Sequence, residues 1–195
     1  HVIKEKNLLN NKILAIKLEP QFAVDKNIAG LVANKLASEY QRPTLMLNKV
    51  VNENGIVSWE GSARGYDKSA FKDFRQFMNS SHYALYAEGH ANAFGTSILD
   101  TDFADFMLFS NQFLEDYDFT PMLNVDLIWD ANNFNSNEIL NIAELESVWG
   151  QGVEKPLVAI ENIKVHAGDL KLMKETTLKI TLPNGTSLIK FGSSE

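Results

Sequence analysis

Two short stretches concentrate the residue types that can hold an anion. The first is Gly61-Ser62-Ala63-Arg64-Gly65. Glycines at both ends open the backbone to close approach. Ser62 offers a hydroxyl, and Arg64 offers a planar fork of donors matched to phosphate oxygens. The second stretch is Glu88-Gly89-His90-Ala91-Asn92-Ala93-Phe94-Gly95. Gly89 permits an unusual backbone angle ahead of His90, and Ala91 and Ala93 leave space around it. His90 and Asn92 can each donate a hydrogen bond to an anion. Taken alone, each stretch also fits a blander role: a solvated surface arginine in a turn, and a histidine bonded to local backbone.

Other chemistries find little support. The chain has no cysteine, which excludes a disulfide scaffold, a thiol nucleophile and a cysteine-ligated metal. There is no GxxxxGK[ST] loop and no GxGxxG opening a helix. Histidines are few and scattered, with His82 and His166 isolated, and no complete metal site is evident. Asp102 and Asp105 suit a helix start, where the helix dipole favours negative charge. No apolar run approaches the roughly 18 residues needed to cross a bilayer, and the first residues lack a signal-peptide layout. A cytoplasmic setting and no membrane partner are expected. The chain begins at His1 rather than Met, which suggests a piece of a longer protein or a tag remnant.

Charge is distributed unevenly. Of 195 residues, 18 are basic and 25 acidic, for a net charge of −7. All three arginines (Arg42, Arg64, Arg75) precede residue 76, and no Lys or Arg occurs from Gln76 to Glu154. Bulk affinity for a polyanion needs clustered basic residues, so any phosphate contact must be a focused pocket. Hydrophobic residues make up 45% of the chain, as in ordinary globular proteins.

The positioning elements follow from periodicity. Lys12–Leu18 has the character of a short strand. Ile28, Leu31, Val32, Leu36 and Tyr40 predict an apolar stripe on a helix capped by Asp25 and ended by Arg42-Pro43. Thr44–Leu47 and Ile56–Trp59 read as strands around an Asn54-Gly55 turn, and Gly61–Gly65 as a loop. Lys68–Asn79 and Asp100–Tyr117 are expected helices, their aromatic residues packing a core. Tyr83–Tyr86 and Thr96–Leu99 are candidate strands. This alternation predicts an α/β domain with a mixed sheet over residues 1–118.

Beyond residue 118 the pattern changes. Met122–Trp129 alternates as a half-buried strand does, and Glu138–Val148 reads as a short helix. Leu157–Val165, Leu170–Met173, Thr176–Leu182 and Ser187–Phe191 are short strands. Turns are expected at Gly150-Gln151-Gly152 and Pro183-Asn184-Gly185. Residues 119–195 are therefore expected to form a small, mostly β domain.

The two glycine-flanked stretches stand about 25 residues apart with an aromatic-rich helix between them. Preceded by IAGLVANKLASEYQRPTLML, GSARG and GHANAFG resemble the DHH-associated domain of RecJ-type single-strand-specific exonucleases. Gly61, Ser62 and Arg64 match the family's GSxRS loop, with Gly65 in place of its last serine. Gly89, His90, Ala93 and Gly95 match GGHxxAAG, with Glu88 replacing the first glycine and Phe94 a small residue. Leu145, Gly150, Gly152 and Pro156 are similar to the family's entry into an OB-like β-barrel, here expected to be incomplete.

The resemblance implies that Ser62, Arg64, Gly89, His90 and Asn92 bind backbone phosphates of single-stranded DNA. Lys171 and Lys179 would be secondary strand contacts. It also implies that the catalytic Mn or Mg ions and their ligands belong to a DHH domain acting in cis and absent from this chain. The chain itself would then hold no cofactor and be inactive alone, its parent serving DNA repair or recombination. Two rival readings stand beside this one. The parent is a DHH-type phosphoesterase of short oligonucleotides or small nucleotides, or the chain is a non-catalytic interaction module using its acidic middle with Trp129 or Trp149.

Overall fold

The computed structural model describes residues 2–192 except 134, 151, 175 and 183. Gln151 and Pro183, members of two expected turns, lie outside the described residues. The chain divides into two compact units, His1–Met122 and Leu123–Glu195.

The first unit begins with a single helical turn, α1 (Val2–Glu5), and is built on a five-stranded sheet. Its strands are β1 (Leu14–Leu18), β2 (Thr44–Val51), β3 (Val57–Arg64), β4 (Ala84–His90) and β5 (Ala93–Leu99). Their spatial order is β1-β2-β3-β5-β4. β1 and β2 are parallel and joined through helix α2 (Lys26–Tyr40), while the other pairs are antiparallel.

Alternation along the strands sorts side chains between two faces. On one face Leu45, Leu47, Trp59, Ala63, Phe94 and Ile98 meet aromatic residues of α3 (Phe74–Ser80) and α4 (Phe103–Phe113). Ring contacts such as Phe74–Phe94, with centroids 5.2 Å apart, knit that layer. On the other face α2 packs over Met46. The sheet is thus sandwiched, with α2 lying over β2 and β3 and reaching Ile16 and Leu18 of β1.

Several elements differ from the expectation. The buried stripe of α2 is Ala29, Gly30, Ala33 and Ala37, while Ile28 and Leu31 are exposed at 52% and 73%. Small residues let the helix lie close to the sheet, and that proximity outweighs the larger side chains' preference for burial. Gly61–Arg64 is the end of β3 rather than a loop, because its backbone is paired with both β2 and β5. The segment before Phe74 is irregular, so α3 is shorter than expected. Asp25 does cap α2, its carboxylate accepting from the Asn27 amide at 2.9 Å.

At the far edge of the sheet, Lys17 lies 4.2 Å from the Trp59 ring centroid and 3.2 Å from Asp100. The Trp59 indole N–H also donates to Asp100. These bonds hold the Asp100 carboxyl below its ordinary value of 3.8, the indole bond being the larger cause and the Lys17 contact the next. A depressed folded-state value contributes stability above pH 3.8 that is lost as pH falls through the lower folded value. Wild type and Asp100→Asn should therefore differ most in urea midpoint above pH 3.8 and converge as the pH falls through the lower folded-state value. A midpoint difference that does not shrink on acidification contradicts this account.

The second unit is described by itself. β6 (Leu127–Asp130) pairs in parallel with β7 (Val158–Glu161), with α5 (Ser136–Ala143) between them in sequence. β8 (Leu170–Met173), β9 (Thr177–Thr181) and β10 (Ser187–Phe191) form an antiparallel sheet. The strand expected from Met122 begins only at Leu127, and its parallel pairing was not anticipated. The class, a mixed α/β unit followed by a small β-containing one, agrees with the sequence reading.

Candidate phosphate ledge

Pairing across β3, β5 and β4 sets the candidate residues in ranks. Arg64 and His90 are both register partners of Ala93. Ser62 and Glu88 both pair with Gly95, and Glu60 and Tyr86 both pair with Ser97. Directly paired residues share a face, so all of these project on the α2 side, opposite the aromatic layer. Two strand spacings separate Arg64 from His90, about 10 Å between backbones. Both side chains line a cavity of about 310 Å³ with Asn34, Asp67 and Asn92. Arg64 also borders a neighbouring cavity of about 540 Å³, walled by Ser62, Tyr86, Glu88 and the start of α2. Arg64 therefore joins the two.

Partial burial lowers the Arg64 pKa below its ordinary value, yet such a guanidinium remains charged. Its Nη1 donates to the Ala63 carbonyl at 2.8 Å, leaving several N–H groups for an anion. Ser62 is buried beside it. His90 is exposed at the end of β4.

Gly30 makes the seat for Arg64. A Cβ built there would come within 2.6 Å of Arg64 Nη2 and 3.6 Å of Ser62 Oγ. Gly30→Ala removes a helix-interior glycine, worth about 1 kcal/mol in α2, but pushes the guanidinium aside. The expected result is an unchanged or raised melting temperature together with weakened phosphate binding, read by calorimetry and NMR titration. Unchanged binding would show that Arg64 does not need this seat.

Asn92 is placed differently from a simple anion donor. Its Nδ2 donates to Asp67 Oδ1 at 2.8 Å, and its backbone carbonyl accepts from the Gly65 amide at 2.9 Å. It buckles the β4–β5 turn to the end of β3, with one Nδ2 hydrogen left to face the smaller cavity. Gly89 lies off the ledge, because alternation turns its Cα toward the opposite face. At φ +139° a Cβ there would meet the Ala93 carbonyl at 2.7 Å, so the close approach of β5 requires glycine. Arg75 braces the same turn. Its Nη1 donates to the Gly89 carbonyl at 2.6 Å, and its backbone amide donates to the Ala91 carbonyl at 2.9 Å.

Lys171 and Lys179 are direct cross-strand partners between β8 and β9. Like charges placed so are destabilising unless an anion lies between them. The structure adds Tyr86, Lys26 and Leu31 to the sequence candidates. Tyr86, Glu88 and His90 stand at period two, a strand signal that marks one face. Among the described residues there is no group of three or more His, Cys, Asp or Glu that could hold a metal ion. Nor is any helix of the described residues long and apolar enough to cross a membrane.

No protein-family model matches the chain. It is 32% identical over 196 residues to YorK, a prophage-derived protein of Bacillus subtilis strain 168 named as a single-strand DNA-specific exonuclease. That match covers 99% of this chain and 34% of YorK. It is also 34% identical over 137 residues to the single-stranded-DNA-specific exonuclease RecJ of Haemophilus influenzae, covering 67% of this chain and 23% of that protein. The fold is similar to crystalline Thermus thermophilus RecJ in complex with Mn2+, with a TM-score of 0.57 and 15% identity over 100% of this chain and 28% of that one. The chain spans about a third or less of the length of these relatives. Sequence and fold together bear out the resemblance to one portion of the RecJ-type proteins.

Proposed function

We propose that this chain, a RecJ-like segment, is the substrate-positioning part of a single-stranded-DNA exonuclease. The observation that carries the reading is the shared register of Arg64 and His90 across Ala93, above one open cavity. Two donors on one face, about 10 Å apart at the backbone, can close on a single phosphate between them. Arg64 supplies permanent charge and paired donors. His90 supplies a ring N–H from the opposite side. Ser62 orients the guanidinium from beneath. Catalysis gains because a held phosphate presents one geometry to a reacting group.

Cleavage itself is assigned to a DHH domain acting in cis with Mn or Mg, and this chain alone is inactive. Lys171 and Lys179 give a second anion contact suited to an extended strand.

The test is NMR titration of the 195-residue chain with a short single-stranded oligothymidylate. The Arg64 Nε–Hε signal and the Ser62 and His90 amides are expected to move together. Arg64→Ala should weaken the oligonucleotide's binding. Binding that leaves these signals still, or no binding even at high oligonucleotide concentration, overturns the reading.

A further inference from the structure

The larger cavity, about 540 Å³, is continuous with the phosphate ledge through Arg64 but differs in chemistry. Its floor is Gly95 and Ala93, which present almost no side chain. Tyr86 forms one wall, its ring 3.7 Å from where a Gly95 Cβ would stand. Leu31, 73% exposed on α2, forms another. Glu88 lies between Tyr86 and His90 along β4, and Lys26 also lines the cavity. A flat aromatic wall, an apolar wall and a floor without side chains suit a planar ring better than a second phosphate. Glu88 sets a carboxylate in the same space, opposing the positive charge of Lys26 and Arg64 that also line it.

We propose that this cavity is a nucleobase subsite for the nucleotide whose phosphate Arg64 holds, and that Glu88 selects bases carrying an exocyclic amino group. The inference rests on the phosphate reading above and extends it to specificity. An ionised carboxylate only accepts hydrogen bonds. It can pair with the amino groups of cytosine, adenine or guanine, but finds carbonyls on the thymine edge apart from one ring N–H. The resembled motif carries glycine where this chain has Glu88, so the selectivity belongs to this sequence. His90 to Tyr86 spans four residues of strand, about 13 Å, room for a phosphate at one end and a base at the other. Burial, with Glu60 and Glu88 nearby, raises the Tyr86 pKa above 10.0, so its ring is the neutral phenol at physiological pH.

The experiment titrates the 195-residue chain with deoxyribose 5-phosphate, dTMP and dCMP, followed by NMR. All three probes should move Arg64 Nε–Hε. Only the nucleotides should move Tyr86 and Leu31, and dCMP should bind roughly tenfold tighter than dTMP, the scale of a hydrogen bond to a charged group. Glu88→Gln should collapse that ratio, because an amide both donates and accepts. Tyr86→Ala should bring dCMP down to the affinity of deoxyribose 5-phosphate. Movement at Arg64 without movement at Tyr86, or equal affinity for dCMP and dTMP, overturns the base subsite while the phosphate reading stands. Silence at both residues with every probe overturns both.

Discussion

Gly61→Ala should destabilise the first unit by on the order of 3 kcal/mol. An ideal Cβ at residue 61 would stand 2.0 Å from the Met46 carbonyl oxygen and 3.1 Å from the Leu47 Cα. Both obstacles are backbone of β2, the strand paired to β3 on its inner side. A flexible side chain could swing away, but a paired strand cannot move without breaking its ladder. A loss of that size should lower the melting temperature by about 10 °C for a unit of this length. The change is measurable by circular dichroism. Gly95→Ala is the matched control, since its nearest neighbour would be Tyr86 Cε2 at an ordinary 3.7 Å. Equal melting temperatures for the two variants would mean that β2 yields where the packing says it cannot.

Arg64→Ala should weaken binding of a short single strand by roughly tenfold to a hundredfold, the scale of a lost hydrogen bond to a charged group. The fold should survive, because Arg64 ends its strand and is only half-buried. Arg64→Lys discriminates between charge and shape. Lysine keeps the cation but loses the planar fork, so its affinity should fall between wild type and the alanine variant. Salt dependence gives an independent reading. One phosphate contact removed should flatten the slope of log affinity against log salt by about 0.7. An alanine variant with wild-type affinity and slope would dismiss Arg64 as an anion ligand.

Much of this architecture was legible because local rules and tertiary packing agree. Asp25 caps α2 as its residue type indicates, and the parallel β1–α2–β2 opening follows from alternating periodicities. The aromatic residues of α3 and α4 face the sheet as their spacing requires. Where the reading failed, tertiary context decided the outcome. The Gly61–Arg64 segment looks like a loop by composition. It is a strand because glycine lets β2 approach, a fact held by Met46 rather than by residue 61. The α2 stripe was assigned to large apolar residues, whereas Ala29, Gly30 and Ala33 make the contact. Gly89 belongs to the expected phosphate ligands, while strand alternation turns its Cα to the other face. Arg64 and His90 stand out by residue type together with the resemblance of their two stretches to the family's loops. Their common rank on Ala93 is a matter of register, which no single stretch of sequence contains. Tyr86 does not stand out in the sequence, because the expected strand stops there, four residues short of His90 and of the face the two share.

The ranks across β3, β5 and β4 carry one further implication. Both anion donors hang from strands of one sheet, β3 paired on both sides and the edge strand β4 paired to β5, and the β4–β5 hairpin tip is tied down by Asn92 and Arg75. The gap between guanidinium and imidazole is thus ruled by the pitch of the sheet, like marks on a gauge. Nothing has to condense or rearrange when a ligand arrives, so occupancy should bring little ordering of the main chain. It is the incoming strand, floppy in water, that must give up its freedom and take the measure of the protein.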